Sequence, residues 1–199
     1  MDLFGNDPAK NLLPSDGVVN YHGAILDHAE EHRFFLALRE SIPWKSDETV
    51  MFGKRIVTSR KVAWYGDEPF AYTYSGTTKT ALPWTAELAE LKVLVEASSG
   101  DRFNSCLLNL YHDGSEGMSW HSDDESTLVK DSAIASLSLG AERKFSFRHK
   151  ESREKVSLML ERGSLLVMKG STQRHWQHCL PKTKKVAQPR INLTFRMMG

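Results

Sequence analysis

After Gly100 the chain becomes a series of short β-prone segments cut by turns. "SCLLNLYHDG" reads as a strand entering a turn. "SAIASLSLGAERKFSFRHK" reads as two strands joined at Gly140. "EKVSLML" and "GSLLVMKG" follow, with Arg162 and Gly163 at the turn between them, and "PRINLTFRMM" closes the series. Many short strands punctuated in this way fold as a jelly roll or a barrel, which hides most of the strand edges that an open sheet would expose. In the last strand Arg190, Asn192, Thr194 and Arg196 alternate, so all four lie on one side of it.

The first hundred residues have a different texture. Residues 1–20 are loop-like, with Gly, Pro, Asn and Asp spread through them. Residues 27–44 predict a helix: Asp27 is a capping residue, Glu30 follows three positions later, and Phe34, Phe35, Leu36 and Leu38 supply an apolar side before Pro43 ends it. Residues 48–66 read as two strands of a hairpin around Gly53, and 83–98 as a second helix starting at Pro83 or Thr85. The expected architecture is mainly β with flanking helices. A single domain spans 1–199, its 1–100 half buttressing a 101–199 jelly-roll core.

Composition narrows the class without choosing a partner. The 26 basic and 25 acidic residues nearly cancel, so any nucleic-acid surface has to be a local patch. Two cysteines, Cys106 and Cys179, are too few for a disulfide scaffold and fit a reducing compartment. No stretch reads as a signal peptide or a membrane span, which points to a cytoplasmic protein with no membrane partner.

The chemistry concentrates in "GMSWHSDDESTL", where His121, Asp123, Asp124 and Glu125 crowd together. Like charges this close are costly unless solvated, paired or bound to a cation. One reading is an acidic surface loop; the other is a metal site. In an extended segment His121 and Asp123 point the same way and Asp124 points elsewhere. A third ligand is available from "QRHWQHCLP" as His175 or His178. Two imidazoles and one carboxylate form the facial set that holds non-haem Fe(II) with positions left open. Arg190 and Arg196 either pair with surface carboxylates, or one of them grips a dicarboxylate by its guanidinium fork, with Asn109 and Tyr111 as neutral partners. A metal chelate plus one remote carboxylate describes 2-oxoglutarate.

His121-x-Asp123, "HWQHCLP" and "RINLTFR" together resemble the AlkB family of Fe(II)- and 2-oxoglutarate-dependent nucleic-acid dealkylases. The resemblance runs from about Val50 to Arg196, and "FGK" and "YSG" bring it nearest the animal DNA-repair members. It implies a double-stranded β-helix core, with His121, Asp123 and His178 as iron ligands. It implies that Arg190 binds the remote carboxylate of 2-oxoglutarate, that Arg196 lies by the metal-proximal one, and that Asn109, Tyr111 and Asn192 complete the cosubstrate pocket. Fe(II), O2 and 2-oxoglutarate would then oxidise N1-methyladenine or N3-methylcytosine in single- or double-stranded DNA. Formaldehyde, succinate and CO2 would leave. The alternatives are a dioxygenase acting on RNA, a protein or a small molecule, and a jelly-roll module that binds nucleic acid without turnover.

The same resemblance assigns the base pocket and the DNA contact. Tyr74 and His121 flank the flipped base, with Tyr72, Glu125 and Arg143 nearby. Met51, Phe52, Gly53, Lys54 and Arg55 form a nucleotide-recognition hairpin whose Phe52 wedges into the base stack while cations hold phosphates. Ordinary core packing is the competing role for Phe52, Tyr72 and Tyr74. The expected protein is a monomer, cytoplasmic in a bacterium or nuclear in a eukaryote.

Overall fold

The computed structural model describes residues 7–51, 54–74 and 77–199, with side chains omitted for 47–51, 54–56, 72–74 and 77–79. Phe52 and Gly53 therefore lie outside the described residues. The side chains of Met51, Lys54, Arg55, Tyr72 and Tyr74 lie outside the described side chains.

In chain order the elements are β1 (Val18–Ala24), α1 (His28–Ser41), β2 (Lys45–Met51), β3 (Lys54–Gly66), β4 (Ala71–Tyr74), β5 (Thr77–Thr80) and α2 (Ala86–Ser99). Then come β6 (Ser105–Tyr111), β7 (Met118–His121), β8 (Ile134–Gly140), β9 (Arg143–His149), β10 (Lys155–Leu160), β11 (Ser164–Lys169), α3 (Thr172–His175), β12 (Trp176–Leu180) and β13 (Arg190–Arg196). A seven-stranded sheet has the order β1-β11-β8-β13-β6-β3-β2, and a four-stranded sheet β10-β9-β12-β7. From β6 to β9 the chain alternates between the two sheets, and it does so again from β10 to β13. This is the jelly-roll pattern in antiparallel pairing throughout.

The local signals explain both long helices. Asp27 caps α1 by accepting from Ala29 and Glu30 N–H, and Glu30 reaches back to the Asp27 N–H, a complete capping box. Pro43 holds Ile42 extended and stops the helix. Thr85 caps α2, and Gly100 ends it with φ of 75°. Their apolar faces, with Phe34, Phe35, Leu38, Leu88, Leu91 and Val95, pack with Leu108, Leu110, Leu137, Leu139, Ile191, Leu193 and Phe195 in one buried cluster. Burying each such side chain contributes about 1.5–3 kcal/mol. Helix packing thus takes the apolar side of β6, β8 and β13 and leaves their alternate residues facing the smaller sheet.

One expectation needs correcting. The loop reading of residues 1–20 is wrong at its end: β1 begins at Val18 and pairs with β11, and Asn11 forms a bridge to Asn20. Thr172 and Asn11 supply side-chain acceptors to the Val18 and Val19 N–H groups. These partners, distant or polar, stabilise a strand that local composition conceals.

Candidate metal centre

The antiparallel pairing of β7 with β12 sets His121 directly opposite His178, with ring centroids 4.2 Å apart. Asp123 follows two residues beyond the end of β7. One ligand atom from each of His121, Asp123 and His178 lies within 4.8 Å of the others. Among the described residues no other set of His, Cys, Asp or Glu converges in this way.

Each member is prepared differently. His121 Nδ1 lies 2.8 Å from the Ser119 carbonyl oxygen, which can only accept, so that nitrogen carries a hydrogen and donates it. Its Nε2 faces Asp123 Oδ1, 3.7 Å away. His178 is buried, with Phe145 and Phe147 ring centroids 5.5 and 6.2 Å from its own. Burial, opposed by Asp123 and aided by His121 and Arg196, lowers its pKa to about 3. The imidazole is therefore neutral, the state a metal requires. Burial pushes the Asp123 carboxyl up, but the adjoining Arg196 guanidinium, which also hydrogen-bonds it, and the neighbouring His178 and His121 rings outweigh burial and hold the group below the usual carboxylate range. Asp123 Oδ2 lies 3.0 Å from an Arg196 nitrogen, leaving Oδ1 on the histidine side. Two imidazoles and one fixed carboxylate fit Fe(II).

The second half of the site is a polar stripe on the inner face of the larger sheet. Register sets Arg190 beside Tyr111 and Gly140, Asn192 between Asn109 and Ser138, and Thr194 opposite Ser136. Arg190 is 2% exposed and donates to Ser138 Oγ at 2.9 Å and to Asn192 Oδ1 at 2.6 Å. Its guanidinium lies over the Tyr111 ring, 5.7 Å from the centroid. Among the described residues it has no carboxylate partner, and its Nε has no hydrogen bond. Burial, with Tyr111 opposing and Arg143 adding repulsion, lowers its pKa to about 10. The Asn109 Oδ1 is also buried and unpartnered. A buried guanidinium without an anion is costly, and a dicarboxylate cosubstrate supplies one. Gly140 shapes this end: at φ of 81°, a Cβ there would lie 2.5 Å from the Pro189 oxygen.

The remaining candidates are placed as follows. His175 is outside the cluster and stacks on His149, with centroids 6.2 Å apart. Glu125 Oε1 is 3.6 Å from Arg196, so Arg196 bridges two acidic residues of the ligand loop. Asp124 points elsewhere, toward Lys150 at 3.9 Å. Arg143 is 1% exposed and donates to the carbonyls of Asp113, Glu116 and Pro181, clamping the segments after β6 and β12. Sequence reasoning missed Ser136 and Ser138, although hydroxyls at alternate positions of "AIASLSLG" mark a polar face. It also missed Gln173, which accepts the Asp123 N–H from fifty residues away in sequence.

The comparisons with known proteins agree with this geometry. Residues 17–196 match the family described as the 2OG-Fe(II) oxygenase superfamily. The chain is 40% identical to DNA oxidative demethylase ALKBH2 of Mus musculus over 92% of its own length and 82% of that protein's. It is 46% identical to DNA oxidative demethylase ALKBH2 of Bos taurus, over 92% of this chain and 70% of the other. The solved structure of OsALKBH1 shares the fold, with a TM-score of 0.61 at 20% identity, covering 93% of this chain and 99% of that one. The chain belongs to the AlkB family within the 2OG-Fe(II) oxygenase superfamily.

Proposed function

We propose that this protein oxidatively demethylates N-alkylated bases in DNA, with N1-methyladenine and N3-methylcytosine as its substrates. The observation that carries the reading is the pairing of a three-ligand metal cluster with a buried guanidinium that lacks an anion, on facing sheets of one jelly roll. The DNA oxidative demethylases among its relatives supply the substrate class.

When bound, Fe(II) with O2 and 2-oxoglutarate supplies the oxidation: one oxygen atom enters the N-methyl C–H bond, the other goes to succinate, and CO2 is released. The N-hydroxymethyl product then loses formaldehyde and restores the base. The chain's own residues bind and orient. His121, Asp123 and His178 hold the metal. Arg190, supported by Ser138, Asn192 and Tyr111, holds the remote cosubstrate carboxylate. Arg196 pairs with both Asp123 and Glu125 and fixes the Asp123 carboxylate. Tyr74 and His121 flank the flipped base, with Tyr72 and Glu125 around it, while Arg143, buried against backbone carbonyls, holds the segments after β6 and β12 instead of touching the base. The 51–55 hairpin tip contacts DNA from either a duplex or a single strand. The whole of 1–199 acts as one domain and as a monomer, where the genome resides: the cytoplasm of a bacterium or the nucleus of a eukaryote.

The test is a mass-spectrometric screen of oligonucleotides, DNA and RNA, each carrying one defined lesion, with and without 2-oxoglutarate. Cosubstrate-dependent loss of one methyl group from the DNA lesions is the expected result. Turnover confined to RNA, or absent on every oligonucleotide, overturns the substrate assignment.

A further inference from the structure

Asp123 lies just past the end of β7, in a stretch with no strand partner. Its carboxylate direction therefore depends on what holds its backbone. Gln173, on α3, does so: its Oε1 accepts the Asp123 N–H at 2.9 Å. The amide orientation is forced, because only the oxygen can accept from an N–H. The Nε2 then donates to Met168 Sδ at 3.3 Å, anchoring the side chain on β11. The backbone carbonyl of Gln173 accepts from Lys150 Nζ at 2.9 Å, and that Nζ lies 3.9 Å from Asp124 Oδ2. On the other side, Ser122 Oγ donates to the Trp176 carbonyl at 3.0 Å. Segment 122–124 is thus tied at three successive residues to α3, β12 and the turn after β9.

We propose that Gln173 is a positioning residue for the metal carboxylate: its side-chain amide fixes the Asp123 backbone so that Oδ1 faces His121 and His178 while Oδ2 stays with Arg196. This rests on the metal reading of His121, Asp123 and His178. Gln173 touches neither metal nor substrate and acts only through Asp123. A carboxylate held at both its oxygen and its own peptide N–H pays little ordering entropy when the metal arrives.

Mn(II) titration of the full chain, with no nucleic acid present, tests this. Gln173→Leu should weaken Mn(II) binding roughly ten- to a hundredfold, the usual effect of removing such an outer partner. Gln173→Glu retains an acceptor oxygen and should stay near the parent value. At saturating Fe(II), the Leu variant's kcat should return to the parent's while its iron requirement remains raised, a split that a merely structural lesion does not produce. Should the Leu variant fail to fold, Gln173→Asn withdraws the acceptor by one methylene and should weaken Mn(II) binding in the same direction. Asp123→Ala is the control. If it loses Mn(II) while a folded Gln173→Leu or Gln173→Asn binds as the parent does, the positioning role is wrong. If Asp123→Ala itself binds like the parent, the metal reading falls and takes the inference with it.

Discussion

His121 and His178 face each other across the β7–β12 ladder, 4.2 Å between ring centroids, although 56 residues separate them in the chain. The strand register alone brings them together. Removing either ring, or the Asp123 carboxylate beside them, leaves two ligands where three are needed. Asp123→Ala and His178→Ala should therefore abolish tight Fe(II) or Mn(II) binding, whereas His175→Ala should retain it, because His175 stacks on His149 outside the cluster. Metal titration of the three purified variants checks this. Loss in His175→Ala with retention in His178→Ala would reverse the ligand assignment.

Arg190 should govern the use of cosubstrate. It is buried with its Nε unpartnered, and its two bonded neighbours, Ser138 and Asn192, are neutral. Truncating one member of a buried charged pair costs about 2–5 kcal/mol, so Arg190→Ala should raise the 2-oxoglutarate dissociation constant about thirtyfold or more. Metal affinity should change little, since the triad lies elsewhere on the facing sheet. Calorimetric titration with 2-oxoglutarate in the presence of Mn(II) reads this directly; unchanged cosubstrate affinity would remove Arg190 from the pocket.

The catalytic half of the molecule was legible because its chemistry rides on strand periodicity. The alternation in "RINLTFR" put Arg190, Asn192, Thr194 and Arg196 on one face, and the structure pairs that face with Asn109, Tyr111, Ser136 and Ser138. The residues alone left His175 and His178 open, because only the β7–β12 register distinguishes them. Gln173 was invisible for a related reason: a single amide on a four-residue helix has no pattern, and its meaning depends on a partner fifty positions away. β1 was missed because its partners are the distant β11, Thr172 and a polar Asn11 side chain.

Glu96 gives the fold an acid-sensitive joint away from the metal. Its carboxylate is 8% exposed at the end of α2, accepts the Phe103 N–H at 3.0 Å, and pairs with Arg102 and Lys92. Burial raises its pKa, but those hydrogen bonds and charges prevail, and the folded value lies below the ordinary 4.5. The unfolded chain then takes up this proton first as pH falls, so the contribution is full above about 4.5 and is lost on acidification through the folded value. Glu96→Gln should cost roughly 1–3 kcal/mol at pH 7. Its deficit against the parent should shrink below about pH 4.5. Urea unfolding of both proteins at pH 7 and pH 4 measures it; a constant deficit would mean that the charge on Glu96 does not matter.

The last prediction concerns Phe52, which the sequence places between Met51 and Lys54, partners in the β2–β3 hairpin. A wedge ring fills the stack only when a base has left a duplex. Phe52→Ala should then slow repair of N1-methyladenine in duplex DNA far more than in a short single strand, where little stacking has to be replaced. Unstacking costs on the order of a few kcal/mol per step, so the differential should reach about tenfold or more. Succinate formation without DNA, and the melting temperature, should barely move. A core phenylalanine behaves in the opposite way: its truncation costs about 3–5 kcal/mol of stability and spares neither substrate. Equal rate losses on duplex and single strand, together with a large fall in melting temperature, would make Phe52 a packing residue and leave the flipped base's gap to some other side chain.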